Sequence, residues 1–167
     1  MLIFHLILTL FMVAVMFYDA LKYIIPNVVV GMLMFIYVVF VVITPDVDWL
    51  GGIYAMLALL VVGYAIFAAG IAGAGDGKLL AACGLWCGWE YHTIQFIVYM
   101  ALIGGAMSLA LIVGRPLGFW IVGKLGGSAR IPRILEKDAP IPYGIAIAGG
   151  FLIVLWQGVL PGLGLSG

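Results

Sequence analysis

Two aspartates stand where chemistry is possible inside an otherwise apolar chain. Asp19 follows the apolar run 11–18, and Asp76 lies within the glycine-rich segment 73–78. An ionisable side chain at membrane depth is costly, which makes each acid a candidate for a functional site. Two facing carboxyl groups share one proton, so one can activate a water molecule while the other protonates a leaving amine. Peptide hydrolysis of the aspartic type is chemistry that fits such a pair.

The alternative, a structural interpretation, is that the two acids have no catalytic role. Carboxylates at helix ends can lie among lipid headgroups, either solvated or bound to Lys22 or Lys78. Glycines weaken a helix, yet they allow tight turns and the close approach of a second helix or an extended peptide. Three glycines alternate around Asp76 and favour a built site that supports the acid or binds substrate: Gly73, Gly75 and Gly77.

The composition indicates an integral membrane protein. Of the 167 residues, 66% are hydrophobic and 8% are charged, and the mean hydropathy is +1.32. So few charges cannot cover the surface of a water-soluble domain of this size. Because a bilayer-spanning helix needs about 20 apolar residues, we predict an all-α, polytopic fold of about six transmembrane helices. We expect these helices to form a single domain over residues 1–167.

Apolar runs between charged, proline or glycine residues place the six predicted spans. The fourth run reaches spanning length only if residues 76–78 form its first turn. The only long connection is residues 114–142, and its apolar piece 116–122 can lie in the membrane interface. The predicted spans are Leu2–Tyr18, Val28–Ile43, Leu50–Ala69, Leu79–Trp89, Thr93–Val113 and Tyr143–Leu160.

The positions of the charged residues predict the orientation of these spans. One end of the six-span arrangement holds Asp46, Asp48 and Glu90 and no cation. All lysines and arginines fall at the other end: Lys22, Lys78, Arg115, Lys124, Arg130, Arg133 and Lys137. Because cytoplasmic loops carry an excess of Lys and Arg, we expect both termini outside and both candidate acids at the cytoplasmic face.

Other functions find little support among the remaining residues. A net charge of zero leaves no electrostatic basis for binding nucleic acid. Cys83 and Cys87 lack the further ligands of a zinc site, so we interpret them as packing residues. His5 and His92 fall at the outer end, and His-Glu-x-x-His, P-loop and Gly-x-Ser-x-Gly motifs are missing from the sequence. We therefore expect neither a metal nor a cofactor.

The two acids stand in motifs that resemble a known family. Asp19 is followed, after residues 20–24, by Ile25-Pro26-Asn27. Asp76 lies in Gly-x-Gly-Asp-x-Lys-Leu-Leu-Ala-Ala at residues 73–82. This combination resembles the type IV prepilin peptidases, which are Gly-x-Gly-Asp aspartic proteases of bacterial inner membranes. The resemblance continues through residues 84–89 and 140–146 and so extends over most of the chain.

The resemblance implies that Asp19 and Asp76 form a catalytic dyad. Family substrates are prepilins and pilin-like proteins, cut after a glycine between a short cytoplasmic leader and an apolar helix. The chain is similar to the short members that process Flp-type pilins, the CpaA/TadV group. Long members carry a cytoplasmic insert with two CxxC pairs that bind zinc and house an N-methyltransferase. We see no such insert and expect a peptidase without methylation, in contact with membrane lipid and with pilus assembly or secretion machinery.

Three residues near the acids are secondary candidates. Pro26 and Asn27 are expected to set the entry into the second span, because Pro fits a first helical turn and Asn can cap it. Lys78 either favours the ionised form of the dyad or marks the cytoplasmic border of the membrane.

Two alternative functions use the same acids. The first is a proton-coupled membrane transporter or assembly factor in which Asp19 and Asp76 relay protons. Transporters are commonly built from inverted repeats, however, and the sequence shows no internal repeat. The second is a presenilin-like protease that cuts within transmembrane helices. The Ile25-Pro26-Asn27 motif and Lys78 favour prepilins over such substrates.

Overall fold

The chain folds into a bundle of α-helices, as the composition predicts. The computed structural model describes residues 1–124 and 140–163, and within them all regular structure is helical. A helix satisfies its own backbone hydrogen bonds, which is what a lipid environment requires. The helices are α1 (Leu2–Lys22), α2 (Asn27–Ile43), α3 (Trp49–Ala68), α4 (Ala74–Cys87), α5 (Tyr91–Lys124) and α6 (Tyr143–Trp156).

The helices differ in their capacity to cross a bilayer. Three are long and apolar enough to do so: Leu2–Lys22, Trp49–Ala68 and Tyr91–Leu117. α2 and α6 are apolar but shorter. α4 has 14 residues, so it rises only about 21 Å against a hydrocarbon core of about 30 Å. The architecture is consistent with a membrane protein, and the count of six spans stays a prediction.

The boundaries of two helices bear on the predicted layout. α4 begins at Ala74, so Asp76 lies in its first turn, but the helix ends at Cys87 and does not reach the spanning length expected with that turn. α5 runs through Pro116 to Lys124, so the prediction of a loop is wrong for residues 114–124, while the interfacial position of residues 116–122 stays a prediction. An interior proline removes one backbone hydrogen bond and kinks a helix, but it does not oblige the helix to end. Residues 125–139 of the predicted loop, which include its three further cations, lie outside the described residues.

α4 forms the centre of the bundle. Its residues 79–87 are all buried, and it packs against α2, α3, α5 and α6. α3 comes closest because two glycines meet, and a Cβ atom on Gly63 would lie 2.6 Å from the Cα of Gly77. Cys83 and Cys87 are buried free thiols in this core, which confirms their interpretation as packing residues. The other layer is built on α6, against which α1 and α5 pack.

An aromatic cluster holds α2 against α4. The ring of Trp86 lies 5.2 Å from that of Tyr37 and 5.3 Å from that of Phe40, measured between ring centroids. Its indole Nε1 donates a hydrogen bond of 3.2 Å to the Leu33 carbonyl oxygen. Because the Trp86 side chain is buried, this bond satisfies its one polar group. The cluster thereby fixes the position of α2 relative to α4.

Candidate active site

The candidate site lies where α1 ends and where α2, α4 and α6 begin. The α1–α2 connection reverses the chain within residues 23–26, and Tyr23 at its start adopts a left-handed conformation with φ 56°. Its N–H donates to the Asp19 carbonyl oxygen, 2.9 Å away. Ile25 then packs against Gly75 of α4, where an added Cβ would lie 3.2 Å from the Ile25 Cβ. The reversal thus sets the last turn of α1 beside the first turn of α4.

Asp19 is a buried carboxyl group with incomplete hydrogen bonding. It is 3% exposed, and among the described residues its Oδ2 has no hydrogen-bond partner of good geometry. The first turn of α6 faces this group, since the backbone N–H groups of Gly144 and Ile145 interact with the carboxylate. A Cβ on Gly144 would lie 2.7 Å from Oδ2. Glycine at this position therefore lets α6 approach the acid.

Asp76 is held by the helix that carries it. Its Oδ2 accepts a hydrogen bond of 2.8 Å from the N–H of Gly73, the residue that precedes α4. A carboxylate in the first turn of a helix satisfies an otherwise unpaired N–H group and interacts well with the helix dipole. This bond orients the side chain and leaves it partly exposed at the mouth of the site.

The structure brings the two predicted catalytic acids together. Both line a cavity of about 300 Å³, which Tyr23 and Tyr143 also line. Both line a second cavity of about 330 Å³, on the side of Asn27. The two carboxyl groups are close enough for their charges to interact. Two carboxyl groups from different helices thus face the same space at one end of the bundle.

The structural interpretation of the acids does not hold for Asp19. The side chain is neither solvated nor paired with Lys22, whose ammonium lies over the Tyr18 ring at 4.8 Å from its centroid. Lys78 does not pair with Asp19 either, since its Nζ donates a hydrogen bond of 3.0 Å to Asn27 Oδ1. Within residues 1–124 and 140–163, neither candidate acid forms a salt bridge.

The secondary candidates line the site, but their contacts differ from those expected. Pro26, and not Asn27, is the N-cap of α2, and no side chain caps that end. The prediction that Asn27 caps the helix is therefore wrong, because its side-chain oxygen is engaged by Lys78. This bond ties the start of α2 to the first turn of α4. The alternative that Lys78 biases the dyad directly finds no contact to support it.

The three glycines around Asp76 have separate roles. Gly73 donates to the acid, Gly75 makes room for Ile25, and Gly77 makes room for Gly63 of α3. Close approach of a second helix is therefore confirmed for Gly77. The left-handed turn residue is Gly70, with φ 72°, and none of the three has a positive φ.

The sequence prediction missed the roles of three residues at the site. Tyr143 and Gly144 begin α6 directly after Pro140 and Pro142, and prolines before an apolar run are a signal for a helix start. The predicted sixth span begins at Tyr143, as α6 does, but this signal does not reveal the distance of that helix start from Asp19. Tyr23 offered no signal, since a left-handed conformation is uncommon for a bulky residue.

The histidines lie away from the two acids. His5 is buried near the start of α1, with its ring centroid 5.8 Å from that of Trp156. His92 belongs to the first turn of α5, and its Nε2 lies 3.3 Å from Glu90 Oε2. In the part of the chain that the structure describes, no three His, Cys, Asp or Glu side chains group in a way that could hold a metal ion.

Comparison with known proteins identifies the family. The sequence model of the type IV leader peptidase family matches residues 6–109, which is more than half of the chain and includes Asp19 and Asp76. Comparisons with curated proteins and with solved structures found no match. The family match confirms the resemblance drawn from the motifs, and the chain belongs to the type IV leader peptidase family.

Proposed function

We propose that the protein is a membrane-embedded aspartic endopeptidase that removes the short leader of type IV prepilins and pilin-like proteins. Asp19 and Asp76 form its catalytic dyad. One observation carries this proposal: two carboxyl groups from different helices line the same two cavities in a chain of the leader peptidase family. Among the substrates of that class, the Flp-type prepilins are the ones we propose for this chain.

The proposed mechanism needs one ionised and one protonated carboxyl group. Mutual repulsion of two nearby carboxylates favours the state in which they share a proton. The ionised member takes a proton from a water molecule as the water oxygen attacks the scissile carbonyl carbon. The protonated member then gives its proton to the leaving amine as the C–N bond breaks. We propose that this reaction needs no metal and no cofactor.

The proposed topology puts the site at the cytoplasmic face of the bacterial inner membrane, with six spans and both termini outside. A prepilin leader lies in the cytoplasm and continues into an apolar helix, so its scissile bond lies at that face. Asp19 and Asp76 lie at the end of the bundle opposite to Asp46 and Glu90, which agrees with this geometry.

Cysteine labelling tests the topology. In a background with Cys83→Ala and Cys87→Ala, we expect Asp46→Cys and Glu90→Cys to react with a membrane-impermeant maleimide added outside. Lys124→Cys should react only after the inner side is opened. The reverse pattern would place the acids on the side where no leader occurs and would overturn the proposal.

Cleavage by the purified protein tests the activity. The protein is reconstituted into vesicles together with a Flp-type prepilin, and the products are identified by mass spectrometry. We expect a cut after the glycine at the end of the leader, unaffected by a chelator. In the presence of S-adenosylmethionine, the new amine should stay unmethylated, since the α1–α2 connection of residues 23–26 holds no insert. Failure of the wild-type protein to cut would favour the proton-relay alternative.

A further inference from the structure

A mainly apolar groove lies between α3 and α5, beside the polar cavities. It has a volume of about 250 Å³ and is lined mainly by apolar and small residues. α4 and α6 contribute its remaining walls through residues 76–80 and 143–147. On the α5 side, Ala101 and Gly105 are exposed at the surface of the bundle, so the groove is open from the side.

The groove is continuous with the candidate active site. It shares four lining residues with the polar cavity of about 300 Å³: Ile71, Ala72, Asp76 and Tyr143. That polar cavity also holds Asp19, whose buried Oδ2 lacks a partner among the described residues. An extended segment that leaves the polar cavity for the groove must therefore pass Asp76.

Apart from Met100, the face of α5 in the groove is built of small residues, namely Ala101, Gly104, Gly105 and Ser108. A Cβ on Gly104 would lie 3.4 Å from the Ala146 Cβ, in ordinary contact with α6. A Cβ on Gly105 would meet no atom within 4 Å, in contrast to the glycines between α3 and α4. Glycine in a helix costs about 0.5–1 kcal/mol relative to alanine. A small face of this kind suits the close approach of a helix from outside the chain.

We propose that this groove holds the first two turns of the apolar helix that follows the scissile bond of the prepilin. The polar leader then lies in the polar cavity, and the scissile bond lies between Asp19 and Asp76. The groove runs along α5 from Met100 to Ser108, about 12 Å, which matches two helical turns. This inference rests on the proposed peptidase function and adds the site that recognises the substrate helix.

Filling the groove tests the inference kinetically. Gly105→Leu projects a side chain into open space within the groove, and Gly105→Ala is its milder counterpart. Gly31→Leu is the matched control, because Gly31 is also an exposed helical glycine whose added Cβ meets nothing within 4 Å. With a full prepilin in vesicles, we expect Gly105→Leu to raise KM at least tenfold with kcat little changed, about the loss of one good contact. Gly31→Leu should leave both constants unchanged.

Crosslinking tests the occupant directly. Gly105→Cys is placed in an inactive Asp76→Asn variant that also carries Cys83→Ala and Cys87→Ala. A prepilin with one cysteine in the first two turns of its apolar helix should form a disulfide with residue 105. Gly31→Cys should form none. A crosslinked dimer of the enzyme would assign the groove to a second copy, and absence of both products would assign it to lipid, either of which overturns the inference.

The two proposals fail in different ways. If the wild-type protein does not cut the prepilin, the proposed function falls. If it cuts and Gly105→Leu leaves KM unchanged, the peptidase function stands and the groove is not the site of the substrate helix.

Discussion

Carboxylates at the two ends of the bundle differ in exposure and in hydrogen bonding. At one end, Asp48 is exposed, and its Oδ1 accepts a hydrogen bond of 3.0 Å from the Gly51 N–H at the start of α3. Glu90 at the same end is half exposed and pairs with His92. At the other end, Asp19 is 3% exposed, with one oxygen unpartnered among the described residues.

This difference separates carboxylates that support the fold from those available for chemistry. A cap at a helix end satisfies orphan N–H groups and stabilises the helix. A buried oxygen without a hydrogen bond costs about 1–3 kcal/mol, so Asp19 is not placed for stability. Asp76 combines both features, because it caps its own helix and lines the cavities. We therefore expect substitutions at the end with Asp19 and Asp76 to change the cleavage rate, and substitutions at the end with Asp48 to change the stability.

The largest effect on activity is expected from removing either acid. Asp19→Asn or Asp76→Asn should lower the rate of prepilin cleavage by at least a hundredfold, because an amide can neither accept the proton of water nor share one with its partner. The measurement is the cleavage rate in vesicles, with the unfolding temperature in detergent recorded alongside. Asp46→Asn, the same substitution at an exposed residue of the opposite end, should leave the rate unchanged. Substantial activity in either variant would remove that residue from the dyad.

The pH dependence of the rate is the next largest effect. Below the optimum the ionised carboxyl group takes up a proton, and above it the protonated one loses its proton. The rate should therefore fall on both sides, by about tenfold per pH unit far from the optimum. The two apparent pKa values belong to the pair and not to single residues. A rate that rises or falls steadily over the whole range, with the fold intact by circular dichroism, would contradict a shared proton.

A methyl group at the start of α6 should displace Asp19. The Cβ of Gly144→Ala would lie 2.7 Å from Asp19 Oδ2, so the carboxyl group must shift from its position in the site. Small misplacements of a reacting group cost up to about a hundredfold in rate, and we expect a loss of about tenfold or more in kcat. Gly31→Ala, where the added Cβ meets nothing within 4 Å, is the control. Unchanged kcat in Gly144→Ala would show that the position of Asp19 against α6 is unimportant.

The sequence predicted the helix ends of the site better than its contacts. Asp19 ends an apolar run and Asp76 starts one, and alternating helices bring such ends to the same face of a bundle. The contacts of Gly144 with Asp19 and of Lys78 with Asn27 join residues far apart in the chain. They depend on how the helices pack, which local patterns do not reveal. The length of α5 was missed for a local reason. Proline in a sequence favours the end of a helix, but Pro116 lies inside α5.

The smallest effect on activity is expected at Asp48. Asp48→Ala removes the side-chain cap of α3 and should lower the free energy of unfolding by about 1 kcal/mol. Cleavage per folded molecule should stay at the wild-type rate, because Asp48 lies at the end of the bundle opposite to the dyad. Asp46→Ala is the matched control, since Asp46 is exposed and does not cap the helix, and it should change neither quantity. The measurements are chemical unfolding in micelles and the cleavage rate in vesicles. A loss of cleavage in Asp48→Ala at unchanged stability would show that the two ends are coupled and that their carboxylates do not divide into supporting and reacting groups.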